Sequence, residues 1–344
     1  MKKAIILFNL GGPDSIDSVE PFLFNLFNDP AILSLPTIFR YPLAKLISKR
    51  RAPVAKAIYN EMGGSSPILQ QTEMQAKAIE ESLKTQEDNY KCFIVMRCWH
   101  PRADLVVKKV KEFNPQQIIL LPLYPQYSAA TSGSSIEEWL KKCDENNVKI
   151  NTKIICCYPT EDSFILSHVN LIKESFSLDN LSETTIIFSA HGLPENKIKK
   201  GDPYQWQVEK TVEKLVNKLN IKNLDYILSY QSRVGPLKWI GPSTDDVIIQ
   251  NSKLKKHLVI VPIAFVSEHS ETLVELDIEY KKLAQDNGCG QYIRIPALGI
   301  NKDFINTLTN IIINKDLNNF EEGIFAPKNK CPSNFKKCPC QLNV

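Results

Sequence analysis

Short apolar runs recur along the chain, separated by longer stretches with a different rhythm. The runs are Lys3–Phe8, Phe93–Arg97, Gln117–Leu121, Lys153–Cys157, Thr184–Phe188, Tyr226–Ser229, Leu258–Pro262 and Tyr292–Ile295. Each is apolar or β-branched on both alternating positions, which is the pattern of parallel strands buried on two faces. Between the runs the apolar spacing changes to three and four, predicting helices such as Thr72–Thr85, Ser134–Asn146, Gln207–Leu219 and Glu271–Asn287. Strand and helix alternating in this way predict a doubly wound α/β architecture. Eight strands over 344 residues, at ~150 residues per domain, predict two Rossmann-like domains, each a four-stranded parallel sheet flanked by helices. The boundary is expected after Cys157, near Pro159.

Composition narrows the class. Hydrophobic residues make up 43% and charged residues 23%, which excludes disordered, collagen-like and coiled-coil chains. The net charge of +4, from 42 Lys+Arg against 38 Asp+Glu, is too small to announce a nucleic-acid partner. The longest apolar run, Leu258–Val266, has nine residues and contains Pro262, whereas a membrane span needs about 20. The opening MKKAIILF has the look of a leader, but its apolar core is only Ala4–Phe8 and no small-x-small site follows. A buried first strand and a cytoplasmic location are expected. Neither GxGxxG nor GxxxxGK[ST] occurs, and Pro13 in Asn9–Pro13 lacks the N–H that a phosphate cradle uses.

In an open α/β sheet the ligand lies beyond the carboxyl ends of the strands. The segments there are NLGGP, MRCWHP, PLYPQYS, FSAHGLP, YQSRVGP and PIAFVSEHSETL. His191 stands in FSAHGLP. A histidine beside an apolar run is more often structural, but a strand end before a Gly-Leu-Pro turn is a place for proton transfer or metal binding. Glu268, Glu271, Glu275 and Glu279 are spaced by three, four and four, one acidic stripe on a helix, with Leu273, Leu276 and Tyr280 on another side. A solvated face is the ordinary reading of such a stripe. This one begins at the ligand edge and carries His269 between its first two carboxylates, so it can hold a divalent cation or lead protons away. The tail holds Cys331, Cys338 and Cys340, three of nine cysteines. Metal and iron–sulfur sites usually want four ligands. The fourth would come from Cys143, Cys156, Cys157 or Cys289, and free thiols on a disordered tail fit the spacing equally. Phe22–Arg51, rich in Phe, Leu, Ile and Pro and closing on Lys49-Arg50-Arg51, suits an apolar flap with rim cations, and shallow membrane contact is compatible.

Together these segments resemble the ferrochelatase family. NLGGP, GGSSPI (Gly63–Ile68), HP (His100–Pro101), YPQYS (Tyr124–Ser128), FSAHGLP, GDPY (Gly201–Tyr204), QSRVGP (Gln231–Pro236), WIGP (Trp239–Pro242) and ETLVELDIEY all look like family motifs in family order. The resemblance implies a chelatase fold, with a first half at 1–158 carrying a porphyrin lip at 22–51. A second half follows at 159–300, then a helix at 301–330 returning to the first half, and a Cys-rich tail at 331–344. It implies insertion of Fe2+ into protoporphyrin IX with release of two protons. His191 and Glu271 match the active-site histidine and glutamate, assigned to iron binding, to pyrrole proton abstraction, or to both. His269 and Glu275, with Glu268, match an acidic path leading away. Arg97 and Tyr127 match porphyrin-pocket positions, Arg51 and Ser66 resemble residues that meet the propionates, and Leu10 and Trp239 join them as substrate-facing positions.

The chain departs from the common pattern at Cys98, where many members carry Tyr, and at Ala129, where animal members place a cluster-ligating Cys. It is more similar to bacterial members with a C-x6-C-x-C tail and one Cys just after the fourth strand. That likeness implies a [2Fe–2S] cluster on Cys157, Cys331, Cys338 and Cys340, and a cytoplasmic protein, compatible with peripheral contact at the inner face of the membrane. Two other readings compete. One is a cobalt or nickel chelatase acting on a related tetrapyrrole, and the other is a non-catalytic heme- or metal-binding two-domain protein.

Overall fold

A computed structural model describes residues 1–177, 181, 183–233, 235–314, 324–325 and 331–341. The chain divides into two compact units. The first takes in residues 1–124 and 128–156 with the described part of 308–325. The second takes in 125–127 and 157–307 with the described tail, 331–341.

The first unit runs β1 (Lys2–Asn9), α1 (Val19–Phe27), α2 (Thr37–Asn60), α3 (Ile68–Leu83), β2 (Asn89–Met96), α4 (Ala103–Phe113), β3 (Gln117–Pro122), α5 (Ser134–Glu145) and β4 (Thr152–Ile155). Its strands are parallel in the order β2-β1-β3-β4, and a two-residue strand, Ile324–Phe325, pairs with the outer edge of β4. That fifth strand was not expected, because two residues carry no periodicity to read. Residues Ala4 to Phe8 of β1 are fully buried, as a central strand covered on both faces must be. Trp139 of α5 is also fully buried and meets Phe8 edge-on at 6.3 Å between ring centroids. Within the Phe22–Arg51 segment, residues 22–27 and 37–51 are helical, and 28–36 connect the two helices. Val19, Phe22 and Leu23 of α1 pack on Ala52 and Tyr59 of α2, and the same α2 exposes Ile38 (77%) and Phe39 (65%).

The second unit runs α6 (Asp162–Ser175), β5 (Thr184–His191), α7 (Glu195–Lys199), α8 (Tyr204–Leu219), β6 (Tyr226–Gln231), α9 (Thr244–Lys253), β7 (His257–Pro262), α10 (Lys281–Asp286), β8 (Tyr292–Arg294) and the start of α11 (Lys302–Ile313). All four strands are parallel, in the order β6-β5-β7-β8. Ile187, Ile248, Leu258, Ile260, Leu276 and Ala284 form a core on one face of this sheet. The helix expected over 271–287 is composite: Glu271–Tyr280 is π-helical and α10 completes it. Runs of i→i+5 bonding are rare and gather at functional sites. The rest of the 301–330 reading beyond residue 314, apart from the Ile324–Phe325 strand, lies outside the described residues.

Truncating the large aromatic that α5 lays on β1 tests the first core. Trp139→Ala should lower its unfolding free energy by about 3–5 kcal/mol. Denaturant unfolding followed by circular dichroism measures it, and a loss under 1 kcal/mol (roughly the cost of an ordinary surface change) contradicts the packing.

Candidate active site

Parallel strands deliver their last residues to one edge. His191 ends β5 and Gln231 ends β6, and the two are direct register partners. Gly192 N–H then donates to the Gln231 carbonyl at 2.9 Å. The chain turns immediately, and a Cβ on Gly192 would lie 3.0 Å from that carbonyl oxygen and 3.2 Å from the Trp239 ring. Any side chain there needs both neighbours to give by a few tenths of an ångström, which glycine avoids. Trp239 itself is pinned by a bridge to Pro194, which brings WIGP beside HGLP.

β7 feeds the third part of the site. After Pro262 the chain crosses the same edge and enters the π-helix at Glu271. Thr272 locks this entrance, its hydroxyl accepting from His269 N–H and donating to the His269 carbonyl, both at 3.0 Å. Glu271 Oε2 then lies 2.9 Å from His191 Nδ1 and 3.8 Å from His269 Nε2. The His191 side chain remains 37% exposed and that of Glu271 26%.

These contacts fix the tautomers. Nδ1 of His191 donates to a carboxylate, so in the neutral ring Nε2 carries the lone pair, available to a proton or a metal. The Nδ1 of His269 lies 3.0 Å from the Ser267 carbonyl, which can only accept, so its Nε2 faces Glu271.

Electrostatics separates the two carboxylates of the stripe. Burial opposes charging His191, but the charge and hydrogen bond of Glu271, with Glu275 behind it, outweigh burial and raise the imidazole above its ordinary value. Burial likewise opposes ionising Glu271, and His191 and His269 overcome it, holding the carboxyl well below the usual range. Glu275 goes the other way, raised by burial and then by the Glu271 charge, against hydrogen bonds from Ser232, Gln231 and Tyr280. Neighbouring carboxyls pushed apart in this way take different roles: one stays ionised while the other accepts a proton more readily.

The Glu275 cradle joins Tyr280, assigned by spacing to the packing side of the helix, to Gln231 and Ser232, which spacing alone does not single out. Ser232 donates its N–H at 2.9 Å and its hydroxyl at 2.5 Å, Gln231 Nε2 donates at 3.0 Å, and Tyr280 OH donates at 3.0 Å. Ser232 adopts φ +61°, a left-handed backbone that a non-glycine residue seldom takes and that aims both donors at one carboxylate. The only sequence signal for Gln231 and Ser232 is their place in YQSRVGP, at a strand end.

The stripe does not stay whole. Glu268 lies before the helix, where it takes Arg294 Nη1 at 2.5 Å and Ala297 N–H at 2.9 Å. Arg294 also grips Asp277 from its Nε at 2.8 Å, tying the loop before the π-helix to its later turns. Glu279 faces solvent, and Leu273 is half-buried where Leu276 and Tyr280 are buried. The π-helical turn changes which residues share a face, so α-helical spacing misplaced the ends of the stripe.

The remaining substrate-facing candidates lie on several elements. In the first unit, Arg97 pairs with Asp29 at 2.9 Å and Glu138 at 3.2 Å, and its Nε donates to Ser134 Oγ at 2.5 Å. Ser66 abuts Gly12 so closely that a Cβ there would lie 2.5 Å from the serine hydroxyl, which joins GGSSPI to NLGGP. The Leu10 carbonyl accepts from Cys98 N–H at 2.8 Å. Arg51 lies over the Phe27 ring at 5.7 Å and makes no carboxylate ion pair among the described residues. Tyr127 belongs to the second unit, where it is buried and its N–H donates to Gln207 Oε1 at 2.7 Å.

The described part of the Cys-rich tail, 331–341, is folded rather than loose. Gly201 of GDPY has φ +88°, and a Cβ on it would lie 2.9 Å from Lys336 N. Lys337 N–H donates to the Gly201 carbonyl at 3.1 Å, and Phe335 packs on Trp206 at 6.0 Å. The tail is thereby docked on the first turn of α8. Gln207 Nε2 lies 3.3 Å from Cys157 Sγ and 3.2 Å from Cys331 Sγ. A hydrogen bond between Cys331 and Cys338, with burial, raises the Cys331 thiol, against the pull of Gln207. Cys338 and Cys340 offer sulfurs within 4.8 Å of each other. A buried thiol set met by an amide donor fits a thiophilic metal centre, because the donor favours the thiolate form.

A histidine–carboxylate pair thus stands at the ligand edge of a doubly wound scaffold. The chain is similar to the sirohydrochlorin chelatase SirB of Bacillus subtilis, with TM-score 0.52 and 12% identity over 90% of this chain and 93% of that one. It is also similar to DR2241 of Deinococcus radiodurans, a protein with structural similarity to chelatases, with TM-score 0.51 and 8% identity over 94% of this chain and 56% of that one. Sequence is more specific. The ferrochelatase family profile matches residues 2–316. The ferrochelatase of Pelagibacter ubique is 67% identical over 343 residues, covering 99% of each chain. That of Rickettsia felis is 52% identical over 348 residues, again covering 99% of each. The chain belongs to the ferrochelatase family.

The pair leaves a thermodynamic trace. The depressed carboxyl of Glu271 adds stability above its ordinary pKa of 4.5 that is lost as pH falls through the folded value. The raised His191 adds stability below its ordinary 6.5 that is lost as pH rises through the folded value. Both contributions are therefore complete between 4.5 and 6.5. NMR titration should find the His191 ring above 6.5 and should find it lowered in Glu271→Gln, where burial is less opposed. An unchanged titration contradicts the pairing.

Proposed function

We propose that the chain inserts Fe2+ into protoporphyrin IX, making protoheme and releasing two protons, with His191 and Glu271 at the metallation centre. The observation that carries the assignment of residues is the 2.9 Å bond between His191 Nδ1 and Glu271 Oε2 at the carboxyl edge of the second sheet. Metallation needs a base for the pyrrole protons and ligands that take up a partly dehydrated ferrous ion. Imidazole and carboxylate suit such a cation, and Nε2 of His191 is the basic atom left by the Glu271 bond. Glu275, raised and held by donors, takes the proton next, and His269 completes the far side of Glu271. Glu268 is neutralised by Arg294 and supports the loop from the start of this path.

Porphyrin contacts are assigned to Arg97, Tyr127, Ser66, Arg51, Leu10 and Trp239. Arg97 spends its charge on Asp29 and Glu138, so its contribution is the shape of the wall. Arg51 keeps its charge for a propionate. No helix among the described residues is long and apolar enough to cross a membrane. Exposed Ile38 and Phe39, on the helix that carries Lys45, Lys49 and Arg50, support a cytoplasmic protein in peripheral contact with the inner face of the membrane.

Cys157, Cys331, Cys338 and Cys340 would hold a [2Fe–2S] cluster, which when bound supplies a one-electron centre. The chain's own part is to offer four thiolates, dock the tail on Gly201 and aim the Gln207 amide at two sulfurs.

An anaerobic steady-state assay with Fe2+, Co2+ or Zn2+ and protoporphyrin tests the reaction, since a mere binder yields one equivalent of metalloporphyrin at most. His191→Ala should lower turnover by at least ~10²-fold, the scale of a positioned acid–base group, and near-normal turnover contradicts its role. Glu271→Gln should impair turnover more than porphyrin affinity, and an equal fall in both makes Glu271 a binding residue. Wild-type rate should rise with pH as His191 loses its proton, through a value above 6.5. For the cluster, anaerobically purified protein should show a visible charge-transfer band with bound iron and sulfide, all lost in Cys340→Ser. Colourless wild-type protein without iron or sulfide removes the cluster.

A further inference from the structure

Gln207 is fully buried in the first turns of α8, yet it makes three polar contacts with parts of the chain far apart in sequence. Its amide orientation is set by chemistry. Tyr127 N–H can only donate, so the atom 2.7 Å from it must be the carbonyl oxygen. The amino group therefore faces the other way, and its two hydrogens meet Cys157 Sγ at 3.3 Å and Cys331 Sγ at 3.2 Å. One turn further along the same helix face, Thr211 accepts from Gln126 Nε2 at 3.1 Å and donates to the Pro159 carbonyl at 2.9 Å. The helix thus holds both the 125–127 segment and the start of 157–159.

We propose that Gln207 is a positioning residue that joins the cysteine set to Tyr127: one amide donates to two cluster sulfurs and accepts from the backbone of a porphyrin-facing residue. The inference rests on the cluster reading above. Hydrogen bonds to thiolate sulfur stabilise the more negative, reduced state, so Gln207 raises the reduction potential. A rigid planar amide transmits a shift of the sulfurs directly to the Tyr127 backbone, because donor and acceptor are ends of one group. Cluster assembly thereby orders the pocket segment, and the pocket segment in turn orients the donor to the sulfurs.

Two variants separate the two ends of the amide. Gln207→Glu keeps an acceptor for Tyr127 and loses the donor to sulfur, whereas Gln207→Leu loses both. In reconstituted holoprotein, redox titration followed by visible circular dichroism should show a lower potential and an altered sulfur-to-iron spectrum in both. The KM for porphyrin should rise roughly threefold to tenfold in Gln207→Leu, the worth of one hydrogen bond, and stay near wild type in Gln207→Glu. A Gln207→Glu holoprotein with wild-type potential and spectrum overturns the proposal even if Gln207→Leu does not fold. Wild-type protein that takes up no iron and sulfide on reconstitution overturns the cluster reading and the proposal with it, so the two failures are told apart by metal content.

Discussion

The bond between His191 and Glu271 is the constraint around which the second unit is arranged. It joins a residue at the end of a central strand to the first residue of a π-helix, so both must arrive at one edge with their side chains converging. Parallel pairing delivers the histidine and leaves its ring partly open. The crossing from β7 delivers the glutamate, and Thr272 and Arg294 stop that crossing from drifting. A carboxylate on Nδ1 then does two things at once: it holds the imidazole in the tautomer whose Nε2 is basic, and it stabilises the ring once protonated.

Charge is partitioned around that pair. Arg294 neutralises Glu268 on the approach, Glu271 is kept ionised by two histidines, and Glu275 sits among four donors yet is still pushed toward its neutral form. A gradient of proton affinity along a few residues suits a reaction that must carry protons away from an incoming dication. In the first unit the logic is different, for Arg97 is held between Asp29 and Glu138 and sets shape, while Arg51 keeps its cation over an aromatic ring.

The tail shows how a polar, basic segment can be ordered without a hydrophobic core of its own. Gly201 in a left-handed conformation lets the backbone of residue 336 approach within contact distance, Phe335 finds Trp206, and the cysteines then come under Gln207. The GDPY turn, met first as a family motif, acts here as a docking surface for the cysteine segment.

The eight strands, the parallel pairing and the position of His191 at a strand end were legible in the sequence, because burial on two faces and a turn of fixed residues leave a local pattern. The resemblance of nine segments to one family added the reaction. Local pattern could not reveal the Ile324–Phe325 strand, which is too short to have a period, or the π-helix at Glu271–Tyr280, whose altered stacking split the acidic stripe. Nor could it reveal Gln231, Ser232, Arg294 and Gln207, whose roles are hydrogen bonds to residues 17 to 124 positions away. Such contacts exist only once the strands have brought distant chain together, and a buried polar group then takes whichever partner satisfies it. The sequence alone determined where the candidate groups lie along the chain. The tertiary structure decided which of them meet, which are neutralised, and which ring nitrogen faces the carboxylate.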